Sequence, residues 1–175
     1  MSRTLPFLAL LAIVAVAPES ARAASSSPIQ VALWNPVQIV KETDSVGGVR
    51  LSILYGVNQD MTGFDVGLVN STKGVFKGYQ HSLVSITEGK FYGVGANFVS
   101  IARDEMRGVQ WGFYNQAKDA HGLMAGFINS SESMDGVQLA LLNMTQNLHG
   151  LQVGLVNVAS KNPSHPVLPI VNWKF

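Results

Sequence analysis

Residues 150–157 read Gly-Leu-Gln-Val-Gly-Leu-Val-Asn, and six earlier segments repeat this pattern with substitutions. Aligned on the first glycine, successive copies begin 15, 15, 15, 14, 14 and 14 residues apart, over residues 61 to 160 approximately. The first and eighth places are the most constant, and their repeat-defining residues are Gly63, Gly78, Gly93, Gly108, Gly122, Gly136, Gly150, Asn70, Asn115, Asn129, Asn143 and Asn157. A fixed period of this kind indicates a repeat architecture.

Each copy alternates between apolar residues and small or polar residues. Val109, Trp111 and Phe113 occupy the second, fourth and sixth places of one copy, with Gln110 and Gly112 between them. This period of two predicts a β-strand whose two faces differ. Two glycines per copy and many β-branched or aromatic residues disfavour a helix. Three further segments, 31–40, 48–55 and 167–175, have strand character, so the chain is predicted to be all-β with ten strands.

One architecture that accommodates ten such strands is an antiparallel meander closed as an outer-membrane-type barrel. Its lumen would be lined by the residues at the third place, namely Asp65, Gln80, Gln110, Gln138 and Gln152. The chain ends with Val171, Trp173 and Phe175 in alternation, which resembles the C-terminal assembly signal of outer-membrane barrels. The ending favours the barrel over other closures of the sheet.

Two features disagree with the barrel. Eight residues per strand give an apolar band of roughly 20 Å, whereas about 25 Å is expected of a membrane-spanning barrel. Pro169 lies within the last strand, although proline cannot donate a hydrogen bond to a neighbouring strand.

The alternative is a parallel β-solenoid in which each repeat forms one coil of 14–15 residues. Equivalent residues would stack about 4.8 Å apart, with the apolar face inside the coil. The eighth-place asparagines would then form an amide ladder at a corner. The seventh place, where Val69 and Ile128 lie, would put an apolar column outside.

The Gly-apolar-Gln-apolar-Gly-apolar-apolar-Asn unit resembles that of bacterial surface repeat-containing proteins. Segments 33–36 and 168–175 also resemble the fixed ends of such proteins, so the resemblance covers about residues 30 to 175. Ser82 and Gly95 depart from the family pattern. The resemblance implies a location at the bacterial cell surface and no particular chemistry, and the barrel-like C-terminal ending implies a Gram-negative bacterium.

The N-terminus predicts export. A basic start, an apolar run over residues 5–17 and Ala21-Arg22-Ala23 are typical of a cleaved signal peptide, so residues 1–23 are assigned to it and 24–175 to a single β-repeat domain. Of 12 basic and 11 acidic residues, Arg3, Arg22 and Glu19 precede the cleavage site, which leaves ten of each sign. This balance does not favour a nucleic-acid partner, and no cysteine is present to form a disulfide.

No residue pattern indicates catalysis, a metal site or a cofactor. The sequence therefore predicts a structural or adhesin-like barrel in the outer membrane, with a narrow pore as a variant of this function. Membrane lipid and the barrel-assembly machinery would be its partners. The alternative function belongs to the solenoid, soluble or attached to the surface, which would bind a partner or polymer through a repetitive face. The external ligand is not indicated by the sequence.

Overall fold

The computed structural model describes residues 26–175, and the predicted signal peptide lies outside them. The described residues form one sheet of eight strands in the order β2-β1-β3-β4-β5-β6-β7-β8. The strands are β1 (Ser27–Trp34), β2 (Val37–Gln38), β3 (Val46–Asn58), β4 (Met61–Thr72), β5 (Phe76–Thr87), β6 (Phe91–Leu139), β7 (Leu142–Ala159) and β8 (Val167–Lys174).

The neighbouring strands β3, β4, β5, β6 and β7 are all parallel, and equivalent repeat positions pair with one another. Gly48 pairs with Gly63, Gly63 with Gly78, and Gly78 with Gly93. Each repeat is therefore one coil of a parallel β-solenoid. We number the coils by their first-place glycines, so that coils 1 to 8 begin at Gly48, Gly63, Gly78, Gly93, Gly108, Gly122, Gly136 and Gly150.

The all-β prediction is confirmed, but the ten-stranded antiparallel barrel is wrong. In a meander the chain direction would reverse from one repeat to the next. Here the paired strands of successive coils run in the same direction. β6 continues as a single strand of 49 residues, from coil 4 into coil 7. The alternative, a solenoid of 14–15-residue coils, describes the molecule.

The interior of the solenoid contains an apolar column that the repeat alignment did not include. This column lies two residues before each glycine, and every member is at most 3% exposed. Its members are Val46, Met61, Phe76, Phe91, Met106, Ala120, Met134 and Leu148. The rings of Phe76 and Phe91 stack with their centroids 5.0 Å apart, so adjacent coils interlock through this column.

The expectation that the alternating apolar face points into the solenoid is wrong. The third-place and eighth-place side chains point inward, and the second, fourth and sixth places point out. The inner apolar column already fills part of each coil, which leaves room at the third and eighth places for amides or small residues rather than for aromatic rings. Amides stacked at about 4.8 Å can also satisfy one another's hydrogen bonds from coil to coil.

The two ends of the solenoid are closed differently from its middle. At the N-terminal end β1 runs parallel to β3, and β2 pairs antiparallel with β1. The Gln30 amide is fully buried there and bonds both the N–H and the C=O of Val40. At the C-terminal end β8 pairs antiparallel with β7, and it places Asn172 over Gln152. Pro169 is tolerated because β8 is an edge strand of the sheet.

Candidate interaction surface

The five residues predicted to line a lumen fill the closed interior instead. Asp65, Gln80, Gln110, Gln138 and Gln152 are at most 2% exposed. The Gln152 amide donates to Gln138 Oε1 at 2.8 Å, and the Gln80 amide donates to Asp65 Oδ2 at 2.6 Å. The Gln80–Asp65 and Gln152–Gln138 pairs therefore hold adjacent coils together, and the prediction of a pore along the five residues falls with the barrel.

A buried ion pair begins this interior column. Arg50 donates from Nε to Asp65 Oδ1 at 2.7 Å and from Nη2 to Asp65 Oδ2 at 2.6 Å. Its Nη1 also donates to the carbonyl oxygen of Ser71 at 2.9 Å, and Nη2 donates to Thr72 Oγ1 at 3.1 Å. The guanidinium and the carboxylate are both fully buried. Asp65 is thus the structural counter-ion of Arg50.

The predicted amide ladder at the eighth place is present in coils 5 to 8. Asn115 donates to Asn129, Asn129 to Asn143 and Asn143 to Asn157, with N–O distances of 2.9, 3.0 and 2.9 Å. Asn70 is equally buried, but its amide atoms meet no hydrogen-bond partner among the described residues. The eighth place is therefore a structural position.

The first-place glycines are also structural. All of them have a positive φ, for example +127° at Gly122. A Cβ on Gly122 would lie 2.2 Å from the carbonyl oxygen of Gly108 in the coil below. Only glycine fits a backbone of this conformation and close approach. The constant residues of the repeat therefore serve to stack the coils. The outward-facing residues are not among these constant positions.

The outward residues form a broad apolar sheet surface, which we call the outer face. It consists of the second, fourth and sixth places of coils 1 to 8 and the residues aligned with them in β1 and β8. Exposed members include Val49, Leu51, Phe64, Leu68, Leu83, Phe98, Trp111, Phe113, Phe127, Leu141 and Leu155. Trp111 alone is 70% exposed. His81 is the one titratable imidazole on the outer face, which carries no Asp, Glu, Lys or Arg.

Aromatic rings give part of the outer face a fixed shape. Phe98, Phe113 and Phe127 occupy the sixth place of coils 4, 5 and 6, and their rings stack at 5.0 and 4.9 Å. Stacked rings restrict one another's rotation, so this stripe is preorganised before any partner binds.

An open depression lies beside this stripe. Its floor is formed at the fourth place, where His81 and Ala96 lie in coils 3 and 4. Trp111 of coil 5 bounds it on one side. The fourth-place side chains thus change from small to large between adjacent coils, and the outer face has both a recess and a projection.

The residues predicted as a C-terminal assembly signal lie at one end of the outer face. Val171 pairs with Val153 and Trp173 with Leu151, so both continue its columns into β8. Phe175 is 87% exposed at the chain end. At the other end Ile29 and Val31 of β1 align with Val49 and Leu51. The outer face therefore spans ten rows.

Charged groups lie beside the outer face, within the three residues that precede the glycines. Arg107 and Tyr92 donate hydrogen bonds to Glu105, and Lys90 lies 3.2 Å from it. The bond from Arg107, followed by that from Tyr92, holds the pKa of Glu105 at about 2. Further along, the hydrogen bond from His149, with a weaker one from His121, lowers the pKa of Asp135. These contacts connect neighbouring coils on the surface.

The alternation is evident in the sequence. The sequence does not show that the second, fourth and sixth places form the solvent-facing side. Among residues 26–175, no three His, Asp or Glu side chains are arranged to hold a metal ion. The same residues include no helix of the length and hydropathy that crossing a bilayer requires.

Comparison with protein-family models, with curated proteins and with solved structures gives no match. The fold thus defines the chain as a parallel β-solenoid with an apolar outer face.

Proposed function

We propose that this protein is an exported or surface-attached β-solenoid that binds a partner through its outer face. The observation that carries the proposal is the continuity of exposed apolar residues over ten rows without an Asp, Glu, Lys or Arg side chain. Exposed apolar patches beyond a few hundred Å² mark interaction sites in proteins. The predicted signal peptide and the resemblance to surface repeat proteins support the location.

The preorganised aromatic stripe supports binding rather than a purely structural role. Phe113 lies at its centre, stacked on both sides by rings of adjacent coils. Flat aromatic surfaces of this kind contribute most of the energy of many protein interfaces. The interior residues are committed to stacking the coils, and the outer face is the broad apolar surface that remains available to a partner.

A charge placed in the stripe tests the proposal. The mature chain, 24–175, and its Phe113→Lys variant would be compared for self-association by sedimentation and for saturable binding to phosphatidylcholine vesicles and to an insoluble glucan. We expect wild type to bind at least one of these partners and the variant to bind it at least about tenfold more weakly.

Gln116→Lys is the matched control, since Gln116 is exposed in the same coil but at the ninth place, off the outer face. It should bind as wild type does. The proposal is overturned if wild type stays monomeric and binds neither probe, or if Phe113→Lys and wild type bind equally.

A further inference from the structure

We infer that a second copy of this chain covers the outer face, packed face to face about a two-fold axis that runs parallel to the strands between coils 4 and 5. The inference rests on the proposed function, because it names the partner of the same surface. It is carried by the sizes of the side chains along the outer face, by the area of that face and by its lack of charge.

The fourth-place column is complementary to itself when its direction is reversed. From β1 to β8 it reads Val31, Leu51, Val66, His81, Ala96, Trp111, Ala125, Leu139, Val153 and Val171. The proposed axis places each residue opposite the one equally far from the middle. Trp111 of one copy then faces Ala96 of the second, and His81 faces Ala125.

The remaining fourth-place pairs are also matched in volume. Leu51 meets Val153, Val66 meets Leu139, and the two end residues Val31 and Val171 meet each other. No pair sets two large side chains or two small ones against each other. This matters because well-packed interfaces reach the packing density of protein interiors, and both overfilling and voids cost free energy.

Two-fold axes in the plane of contact can take other directions, and the one at right angles to the proposed axis runs along the solenoid. It would place every coil opposite its own equivalent. Trp111 would then meet Trp111 while Ala96 met Ala96, which gives a clash in one coil and a void in the next. The recess and the projection of the outer face lie in adjacent coils, so only the axis parallel to the strands joins them.

The central coils keep this match at the crossing angle expected of two packed sheets. Packed sheets cross at about 30° because of their twist, which displaces residues in proportion to their distance from the axis. Ala96 and Trp111 lie in the two coils next to the axis, so they move least. The aromatic stripe is also central, and Phe98 lies opposite Phe113 of the second copy. The sixth place carries only Ile, Leu and Phe through coils 1 to 8, so the fourth place alone sets a large side chain against a small one.

The area is that of a stable dimer. Ten rows about 4.8 Å apart and a width of about 17 Å give roughly 700 Å² from each copy, close to the 800 Å² per partner of a standard interface. A neutral, uncharged face also lets two identical surfaces meet without repulsion. Charge complementarity to an anionic bilayer is absent from this face, which favours a second copy over a charged lipid surface.

The experiment exchanges the small side chain of the recess, Ala96, and the large side chain of the projection, Trp111. Dimerisation of the mature chain would be measured by sedimentation velocity for wild type, Ala96→Trp, Trp111→Ala and the double variant. We expect Ala96→Trp to overfill the centre and Trp111→Ala to empty it, each raising the dissociation constant at least about tenfold. The double variant restores one large and one small side chain to each pair, so its dissociation constant should return to within about threefold of wild type.

Val156→Ala is the control, since Val156 lies at the seventh place, beyond the break in alternation that ends the outer face. Thermal melts check that all variants keep the fold. A wild type that stays monomeric at high micromolar concentration overturns the inference, as does a double variant that dimerises no better than either single one. If that monomer binds vesicles or glucan through Phe113, the proposed function stands and only the second copy is excluded.

Discussion

Arg50 and Asp65 form a bidentate ion pair inside the solenoid, with N–O distances of 2.7 and 2.6 Å and no exposure of either side chain. The pair joins coil 1 to coil 2, and the Gln80 amide extends it to coil 3 by donating to Asp65. In coils 5, 7 and 8 a glutamine occupies the same third place. The ion pair thus replaces a pair of amides in a column that is elsewhere uncharged.

Removing one partner of this pair should be costly and replacing both should not. We expect Asp65→Asn to lower the free energy of unfolding by about 3–5 kcal/mol, because it leaves the Arg50 charge buried and unpaired. The double variant Arg50→Gln with Asp65→Gln continues the glutamine column and should recover most of this loss. Urea unfolding measures all three proteins, and an Asp65→Asn variant as stable as wild type would contradict the assignment.

The amide ladder predicts a difference between two asparagines at the same repeat place. Asn129 donates to the carbonyl oxygen of Met124 and to Asn143, and accepts from Asn115. We expect Asn129→Ala to destabilise the protein by about 3 kcal/mol, since it leaves buried groups unsatisfied. Asn70→Ala is the control and should cost less than about 1 kcal/mol, because no described residue bonds its amide. Equal losses for the two variants, in thermal or urea unfolding, would mean that the ladder adds no stability.

Steric exclusion at the first place is testable with a single methyl group. We expect Gly122→Ala to cost at least about 3 kcal/mol, because its φ is +127° and the added Cβ would meet a backbone oxygen at 2.2 Å. Gly47→Ala is the matched control. The nearest atom to its Cβ is Ser26 Oγ at 3.0 Å, the end of a side chain that can rotate away. If both variants unfold at the same urea concentration, the glycine column is not required for stacking.

The carboxylate of Glu105 should make stability depend on pH in acid. Its pKa falls from the ordinary 4.5 to about 2 in the folded state, so its stabilising contribution is complete above pH 4.5 and is lost as the pH falls through about 2. Glu105→Gln removes that contribution. The unfolding midpoints of wild type and variant should therefore differ at neutral pH and converge between pH 4.5 and 2.

The control for this titration is Glu132→Gln, at an exposed side chain in the neighbouring part of the repeat array. Its midpoint should follow that of wild type throughout. A gap between wild type and Glu105→Gln that stays constant down to pH 2 would contradict the role given to the Arg107 and Tyr92 contacts.

The sequence was sufficient to predict the repeat of 14–15 residues, the first-place glycines and the ladder at the eighth place. Each of these follows from a residue that recurs at a fixed interval, as Gly108 and Gly122 do. The inner apolar column recurs at the same intervals, but its members range in size from Phe76 to Ala120. No single residue type therefore marks this position of the repeat. Extending the repeat two residues before each glycine would have revealed it.

The direction in which the faces point could not be derived from the alternation. Alternation shows that Gln110 and Trp111 lie on opposite sides of a strand, but it does not show which side is enclosed. The answer depends on neighbours, because a buried Gln138 is satisfied only when Gln152 stacks on it in the next coil. A property of stacked coils is not visible in a single strand. The C-terminal ending therefore decides in favour of the barrel in the sequence, and the barrel places a pore along the amides.

The unbroken course of β6 means that no turn divides the backbone of the array from coil 4 into coil 7. Each coil meets only the coils above and below it, and each adds about 4.8 Å to the length. A duplication or loss of one whole repeat in the gene would leave the backbone of each surviving coil paired with the coils above and below it. The reach of the molecule can therefore evolve in fixed steps, separately from the residues that give it stability.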